Sequence, residues 1–212
     1  DSSTSRGLGD VYKRQGWQRI GNVLDDDTHM PYGDRSLRGS GPVRLDVEHL
    51  EYSHPDTPGV PVIRDVSFTV PAGGVLALVG PTGSGKSTLT SLVTRLVDPD
   101  AGEVRYDGVP VRTLSQQGLT EAVALVAQST FLFDDTVRAN IVLDREVSDE
   151  RVWQVLRDVQ ADGFVAALPD GLDTQLGERG TSLSGGQRQG IALARALVRS
   201  PRLLVMDDAT SA

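Results

Sequence analysis

The stretch Gly80-Pro81-Thr82-Gly83-Ser84-Gly85-Lys86-Ser87-Thr88 constrains this chain more than any other. It follows Val75-Leu76-Ala77-Leu78-Val79, an apolar, β-branched run bounded by glycines, which predicts a buried strand. After the loop, Leu89 to Val97 carry apolar side chains at helical spacing. Strand, glycine-rich loop and helix is the setting in which G-x-x-x-x-G-K-[ST] binds phosphate. Gly83 and Gly85 let backbone N–H groups turn inward with no Cβ in the way, forming an anion nest at a helix N-terminus. Lys86 would then reach the β/γ-phosphates of a nucleotide, and the Ser87 hydroxyl would ligate Mg²⁺. A flexible glycine turn is the alternative. With Gly at about 7% of average composition, a chance match to the whole pattern is roughly a one-in-a-hundred event.

At 212 residues the chain has room for one sizeable α/β domain, or a domain with appendages. Acidic residues outnumber basic ones 29 to 21 and the pI is about 4.8, which argues against a nucleic-acid partner recruited by bulk charge. Cysteine is absent, in keeping with a reducing cytoplasm. No apolar stretch approaches the ~18 residues of a membrane span, and no secretory signal is visible. A role at a membrane would therefore run through a partner or through further chain. Both ends read as cuts: residue 1 is Asp, and the chain stops at Thr210-Ser211-Ala212. Residues 1–15 are polar and aperiodic and resemble translated adapter sequence, so a non-native or disordered tail is expected there.

Residues 16–42 predict the end of a helix (Trp17, Ile20, Val23, Leu24) and then a polar linker with Asp25-Asp26-Asp27, Pro31, Gly33, Gly39 and Pro42. Val43–Tyr52 and Val62–Val70 are strand-like, as are Glu103–Tyr106, Ala122–Ala127 and Leu203–Met206. Ser148 caps a helix with Asp149 and Glu150 in its first turn and Val152, Val155, Leu156 and Val159 on one face. A second long helix is expected over Ser184–Arg199, ending before Pro201.

A phosphate-binding loop alone leaves kinases, GTPases, helicases and transporters open. The deciding stretch is Leu183-Ser184-Gly185-Gly186-Gln187. Together with the Gly80–Thr88 loop, Gln128 and the strand Leu203–Met206 followed by Asp207-Asp208, it resembles the nucleotide-binding domain of ABC ATPases over residues 43–212. The resemblance implies a P-loop NTPase α/β core with an antiparallel β-flank and a helical subdomain carrying the signature. It implies that Leu183–Gln187 closes on ATP held by a second ABC ATP-binding domain in a head-to-tail dimer. Asp207 corresponds to the Walker B aspartate and, with Ser87 and Gln128, to the Mg²⁺ set; Gln128 also senses the attacking water. Each residue has a plainer reading alone: a strand-end cap for Asp207, a polar turn residue for Gln128, a helix N-cap for Ser184.

Phe131-Leu132-Phe133, Thr136–Ile141 and Thr174–Gly180 with Glu178 look like the exporter branch, and Arg19 to Asp25 looks like the tail of a last transmembrane helix. ATP-driven export through a transmembrane domain of the same transporter, at the cytoplasmic face of the plasma membrane, is the expectation. A soluble ABC ATPase of the DNA-repair or translation type and an inactive fragment are the alternatives. The chain departs from the family in its catalytic carboxylate, which is Asp208 rather than Glu, one methylene shorter and a weaker base. That implies a heterodimer with a partner carrying the glutamate. His54 stands where an aromatic residue would stack on adenine, and the chain ends before a switch histidine. His29, His49 and Gly190 receive no role.

Overall fold

The computed structural model describes residues 30–143, 145–177, 180 and 183–207. The chain divides into two units, residues 1–31 and 32–212, and the account below concerns the second. The expected tail, the Trp17–Leu24 helix, Glu178 and Asp208 lie outside the described residues.

Two strands, β1 (Leu45–Ser53) and β2 (Pro61–Val70), open the domain as an antiparallel pair. Alternation along β1 buries Leu45 and Val47, then Leu50 and Tyr52. The parity changes because the ladder slips between Val47 and Leu50, where His49 adopts φ 49° and forms a bulge. The β3 (Ala101–Tyr106) and β4 (Val109–Pro110) strands complete a sheet in the order β2-β1-β3-β4. This is the antiparallel flank. His49 Nδ1 lies 2.7 Å from Asp65 Oδ1 across β1 and β2. That hydrogen bond, and then the aspartate's charge, raise the histidine pKa above its ordinary 6.5. The pair's contribution is full below pH 6.5 and fades as pH rises through the raised value. An NMR titration should put the His49 midpoint above 6.5, and Asp65→Asn should return it to the ordinary value. The pair is exposed, so global stability should move little.

Helix α1 (Lys86–Val93) starts at the glycine loop and buries Leu89, Leu92 and Val93 in the same core as Leu45, Val47, Val104 and Val123. Tyr106 donates from its buried hydroxyl to Val93 O at 2.5 Å, occupying one of the carbonyls left free at the end of α1. Helix α2 (Gln116–Ala122), capped by Ser115, leads into β5 (Val123–Val126). The β5 strand runs parallel to β6 (Leu203–Met206), with Val126 opposite Met206.

Between β5 and β6 the chain builds a helical subdomain with its own core: α3 (Val137–Val142), α4 (Asp149–Asp158), α5 (Asp162–Ala166) and α6 (Gly185–Leu197). Ser148 and Thr136 cap α4 and α3 by accepting from Arg151 N and Ala139 N. Arg138 ties α3 to Asp149 of α4 and to Asp173, and these two acidic partners hold its pKa above the usual arginine value. Val152, Val155, Leu156 and Ile191 are fully buried where α4 meets α6. Gly190 faces Ala161, and a Cβ there would sit 3.2 Å from the alanine's Cβ, so the helix gives up intrinsic propensity for close packing. Ile191→Ala should cost about 2–5 kcal/mol, read as a lowered urea midpoint at unchanged m-value.

One expectation is corrected. Val75–Val79 is not a buried strand: neither sheet includes it, and Val75 and Val79 are 97% and 91% exposed. A strand exists only where a neighbour accepts its ladder hydrogen bonds, and no described strand pairs with this segment. The polar linker, by contrast, is docked from residue 33 onward. Gly33 N donates to Leu114 O, Arg35 N donates to Thr113 O, and Arg35 O accepts from Ser115 N. Among the described residues no helix is long and apolar enough to cross a membrane.

Candidate nucleotide site

The glycine loop closes onto α1 through Gly85, whose φ of 89° is left-handed. A Cβ on Gly85 would lie 3.0 Å from Ile63 Cδ1 and 3.3 Å from Val62 Cγ1. The left-handed backbone strains any L side chain there, and the β2 side chains would have to give by a few tenths of an ångström to admit one. Lys86, the first helical residue, turns its ammonium back over the loop and donates to Gly80 O at 2.8 Å and Pro81 O at 3.0 Å. The positive charge therefore rests on neutral carbonyls, which an incoming phosphate oxygen outcompetes as a hydrogen-bond acceptor. Ser84 N donates to Pro81 O, and Gly80, Pro81, Thr82, Gly83 and Ser84 are exposed. The Ser87 carbonyl accepts from Thr90 and Ser91, while its own exposed hydroxyl bonds no described residue.

His54 is brought to this loop: its Nε2 lies 3.5 Å from Thr88 Oγ1. The buried Tyr52 ring meets it edge-on at 5.3 Å. Gln128 and Asp207 follow the carboxyl ends of β5 and β6, and Asp207 N donates to Val126 O at 2.9 Å. This is the end of a parallel sheet at which α/β proteins bind ligands. Val123 of β5 and the buried face of α1 share one core, with Leu203 and Val205 of β6 packed against it.

Leu183 is buried in the helical core and Ser184 is the N-cap of α6. Ser184 Oγ accepts from Gln187 N at 3.2 Å, and Gln187 Oε1 accepts from Ser184 N at 2.9 Å, a reciprocal capping box. The Gly185 and Gly186 amides occupy the first helical positions, where no intrahelical carbonyl can bond them. Both glycines are exposed, so α6 presents an open N-terminus suited to an anion from outside the chain. Ser87, Gln128 and Asp207 are hydroxyl, amide and carboxylate donors, the hard oxygen set Mg²⁺ prefers. Among the described residues no group of three or more His, Cys, Asp and Glu side chains lies together as a metal site.

Sequence reasoning gave Asn140 no role beyond its place in Thr136–Ile141, and it passed over Arg195. Asn140 is fully buried on α3, and Arg195 is half-buried on α6. The signal was an arginine four residues after Ile191 and three before Val198, at the spacing of one helix face that turns to the helical core.

Residues 63–211 match the model of the family described as ABC transporter. The chain belongs to the ABC transporter family. This ABC transporter domain is similar to "ABC transporter B family member 21" of Arabidopsis thaliana, 39% identical over 194 residues, which are 90% of the chain and 15% of the plant protein. It is 43% identical over 178 residues to the human "Mitochondrial potassium channel ATP-binding subunit", covering 83% of the chain and 24% of that protein. A sophorolipid transporter of Starmerella bombicola is 44% identical over 184 residues, 84% of the chain and 14% of its own length. Among solved structures, a bacterial Atm1-family ABC exporter with ATP bound matches with a TM-score of 0.81 and 35% identity, over 97% of this chain and 37% of that one. The ABC transporter domain thus spans between about a seventh and a quarter of the curated relatives named here.

Proposed function

We propose that this domain binds MgATP and, in a dimer with a second ABC ATP-binding domain, hydrolyses it to power export by a transmembrane domain of the same transporter. The observation that carries the reading is Lys86 at the mouth of α1, poised over a loop that turns through the left-handed Gly85. Loop amides and Lys86 hold the β/γ-phosphates, and His54 offers its ring to adenine beside Thr88. Ser87, Gln128 and Asp207 would hold Mg²⁺, which supplies charge neutralisation on the phosphates when bound. Asp208 is the base for the attacking water, a short one. The open N-terminus of α6 serves the partner's nucleotide, not this chain's own. Relatives named as transporters and the exporter with bound ATP favour export over soluble ATPase work. The domain accordingly works at a membrane, on its cytoplasmic face.

Isothermal titration of the chain with ATP tests the first step. Saturable, single-site binding that collapses when EDTA removes Mg²⁺ is expected. Absence of binding in Mg²⁺ would reduce the chain to an inactive fragment. For the second step, the full-length transporter in liposomes should take up ATPase activity and vectorial substrate movement together; hydrolysis with no membrane domain in the full-length protein would favour the soluble class.

A further inference from the structure

The candidate nucleotide site draws on two sheets. His54 follows β1, and Gly85 faces Val62 and Ile63 of β2, both strands of the four-stranded sheet. Gln128 and Asp207 follow β5 and β6, which form the two-stranded sheet. What joins the sheets is first apolar packing, with Leu203 and Val205 of β6 set against the core that β1 and β3 share. Such packing holds surfaces together without direction, so it leaves the angle between them to other bonds. Arg202, the residue before β6, supplies them.

The Arg202 main chain donates to Ala122 O at 2.8 Å and accepts from Val43 N at 3.2 Å. Its Nε donates to Gly41 O at 2.6 Å, and its Nη2 donates to Asp107 Oδ2 at 2.8 Å. Asp107 lies in the turn between β3 and β4, and its Oδ1 accepts from Arg44 N, beside the start of β1, at 2.8 Å. One ion pair thus ties the start of β6 to the β3–β4 turn and the entry to β1. The Asp107-Gly108 turn itself, with φ of 51° and 76°, asks only for Asp or Asn at its first place. The turn does not need the carboxylate, but the ion pair does. Exposed ion pairs contribute little, yet the Arg202 side chain is only 12% exposed. Its Nη1 is buried and finds no hydrogen-bond partner among the described residues, a cost to stability. What this arginine supplies is therefore the direction of its fork.

We infer that the Arg202–Asp107 pair latches the two sheets together, and that Arg202 is a positioning residue that sets how Gln128 and Asp207 face the loop carrying Lys86 and Ser87. This rests on the proposed function, in which these residues share one MgATP. From Arg202 to Asp207 the chain runs five residues, about 17 Å at the rise of a strand, so a tilt at the start of β6 displaces its end. The end of β5 moves with it, because Asp207 N donates to Val126 O. Asp107→Asn cuts the latch narrowly. Asparagine keeps the turn and can still accept from Arg44 N, but its amide nitrogen then meets Arg202 Nη2 donor against donor.

The test is equilibrium binding of the hydrolysis-resistant ATP analogue AMP-PNP to the full-length transporter, with Mg²⁺ and in EDTA, read as affinity and as number of sites. Lys86→Ala is the control; if it leaves both affinities unchanged, the proposed function itself fails and not the latch. Residues behind metal ligands tune metal affinity, so Asp107→Asn should shrink the ratio of affinity with Mg²⁺ to affinity in EDTA by about threefold or more. Affinity in EDTA should stay within about twofold of wild type, and the number of sites should not change, since Lys86 and its loop keep their own anchors. A variant that merely loosened the fold would instead lose sites, or lose affinity equally in both conditions. Either of those results, or a ratio that shrinks by less, would overturn the latch. Arg202→Gln should shrink the ratio to the same extent, and the double variant should add less than about a twofold further change, because both cut one bond. Effects that multiply would separate the two residues and end the proposal. If Asp107→Asn yields no folded protein by circular dichroism, Arg202→Gln is judged alone by the same thresholds.

Discussion

Lys86→Ala is expected to weaken ATP binding by roughly a hundredfold, the loss of hydrogen bonds to a charged group worth about 1.5–3 kcal/mol each. The ammonium now rests on Gly80 O and Pro81 O, both on an exposed loop. Removing it leaves those carbonyls facing water, which satisfies them at little cost. The fold should therefore keep its urea midpoint while affinity collapses. Binding and stability separate because α1 is anchored elsewhere, by Leu89, Leu92 and Val93 in the core and by Tyr106 on Val93 O. Calorimetric titration of wild type and variant decides it. Equal affinities would remove the phosphates from this loop and, with them, the functional assignment.

Asp208→Glu is expected to raise ATP turnover, by up to about a hundredfold if the missing methylene leaves the carboxylate ~1 Å short of the attacking water. The argument stands on sequence, since Asp208 lies outside the described residues. Its consequence concerns the partner. A homodimer would pair two intact Leu183–Gln187 caps with two short carboxylates, giving two slow sites. A partner with a glutamate at this position would instead place one proper base opposite this chain's open helix end. ATPase measurement on the full-length protein, with and without such a partner, checks both points. A homodimer as fast as a glutamate-containing one, unmoved by Asp208→Glu, would end the heterodimer reading.

Most strands and the longer helices were legible because their signals are local. Ser148 and Ser184 cap helices where a hydroxyl precedes the first turn, and Leu203–Met206 is β6 as expected. The short helices Gln116–Ala122 and Val137–Val142 were overlooked, although Ser115 and Thr136 cap them by the same chemistry. Seven- and six-residue helices carry too few turns for periodicity to register. Val75–Val79 misled for the opposite reason. Its composition is that of a buried strand, but burial and pairing are properties of neighbours.

The sequence by itself determined the chemistry of this domain: a glycine loop ending in Lys86 and Ser87, an open helix start at Ser184–Gly186, and carboxylates after an apolar strand. Each is a contiguous run whose proposed role rests on its own residues, so spacing along the chain suffices to read it. Only the tertiary structure decided what joins these runs. It set His54 beside Thr88, 34 residues away, and Gln128 and Asp207 at the same end of two parallel strands. It also laid Arg195 on Asn140 and Phe131, 55 and 64 residues distant. Such pairings depend on which surfaces the cores bring into contact. No local pattern encodes them, because each partner makes an equally good residue of its own helix, strand or loop without the other.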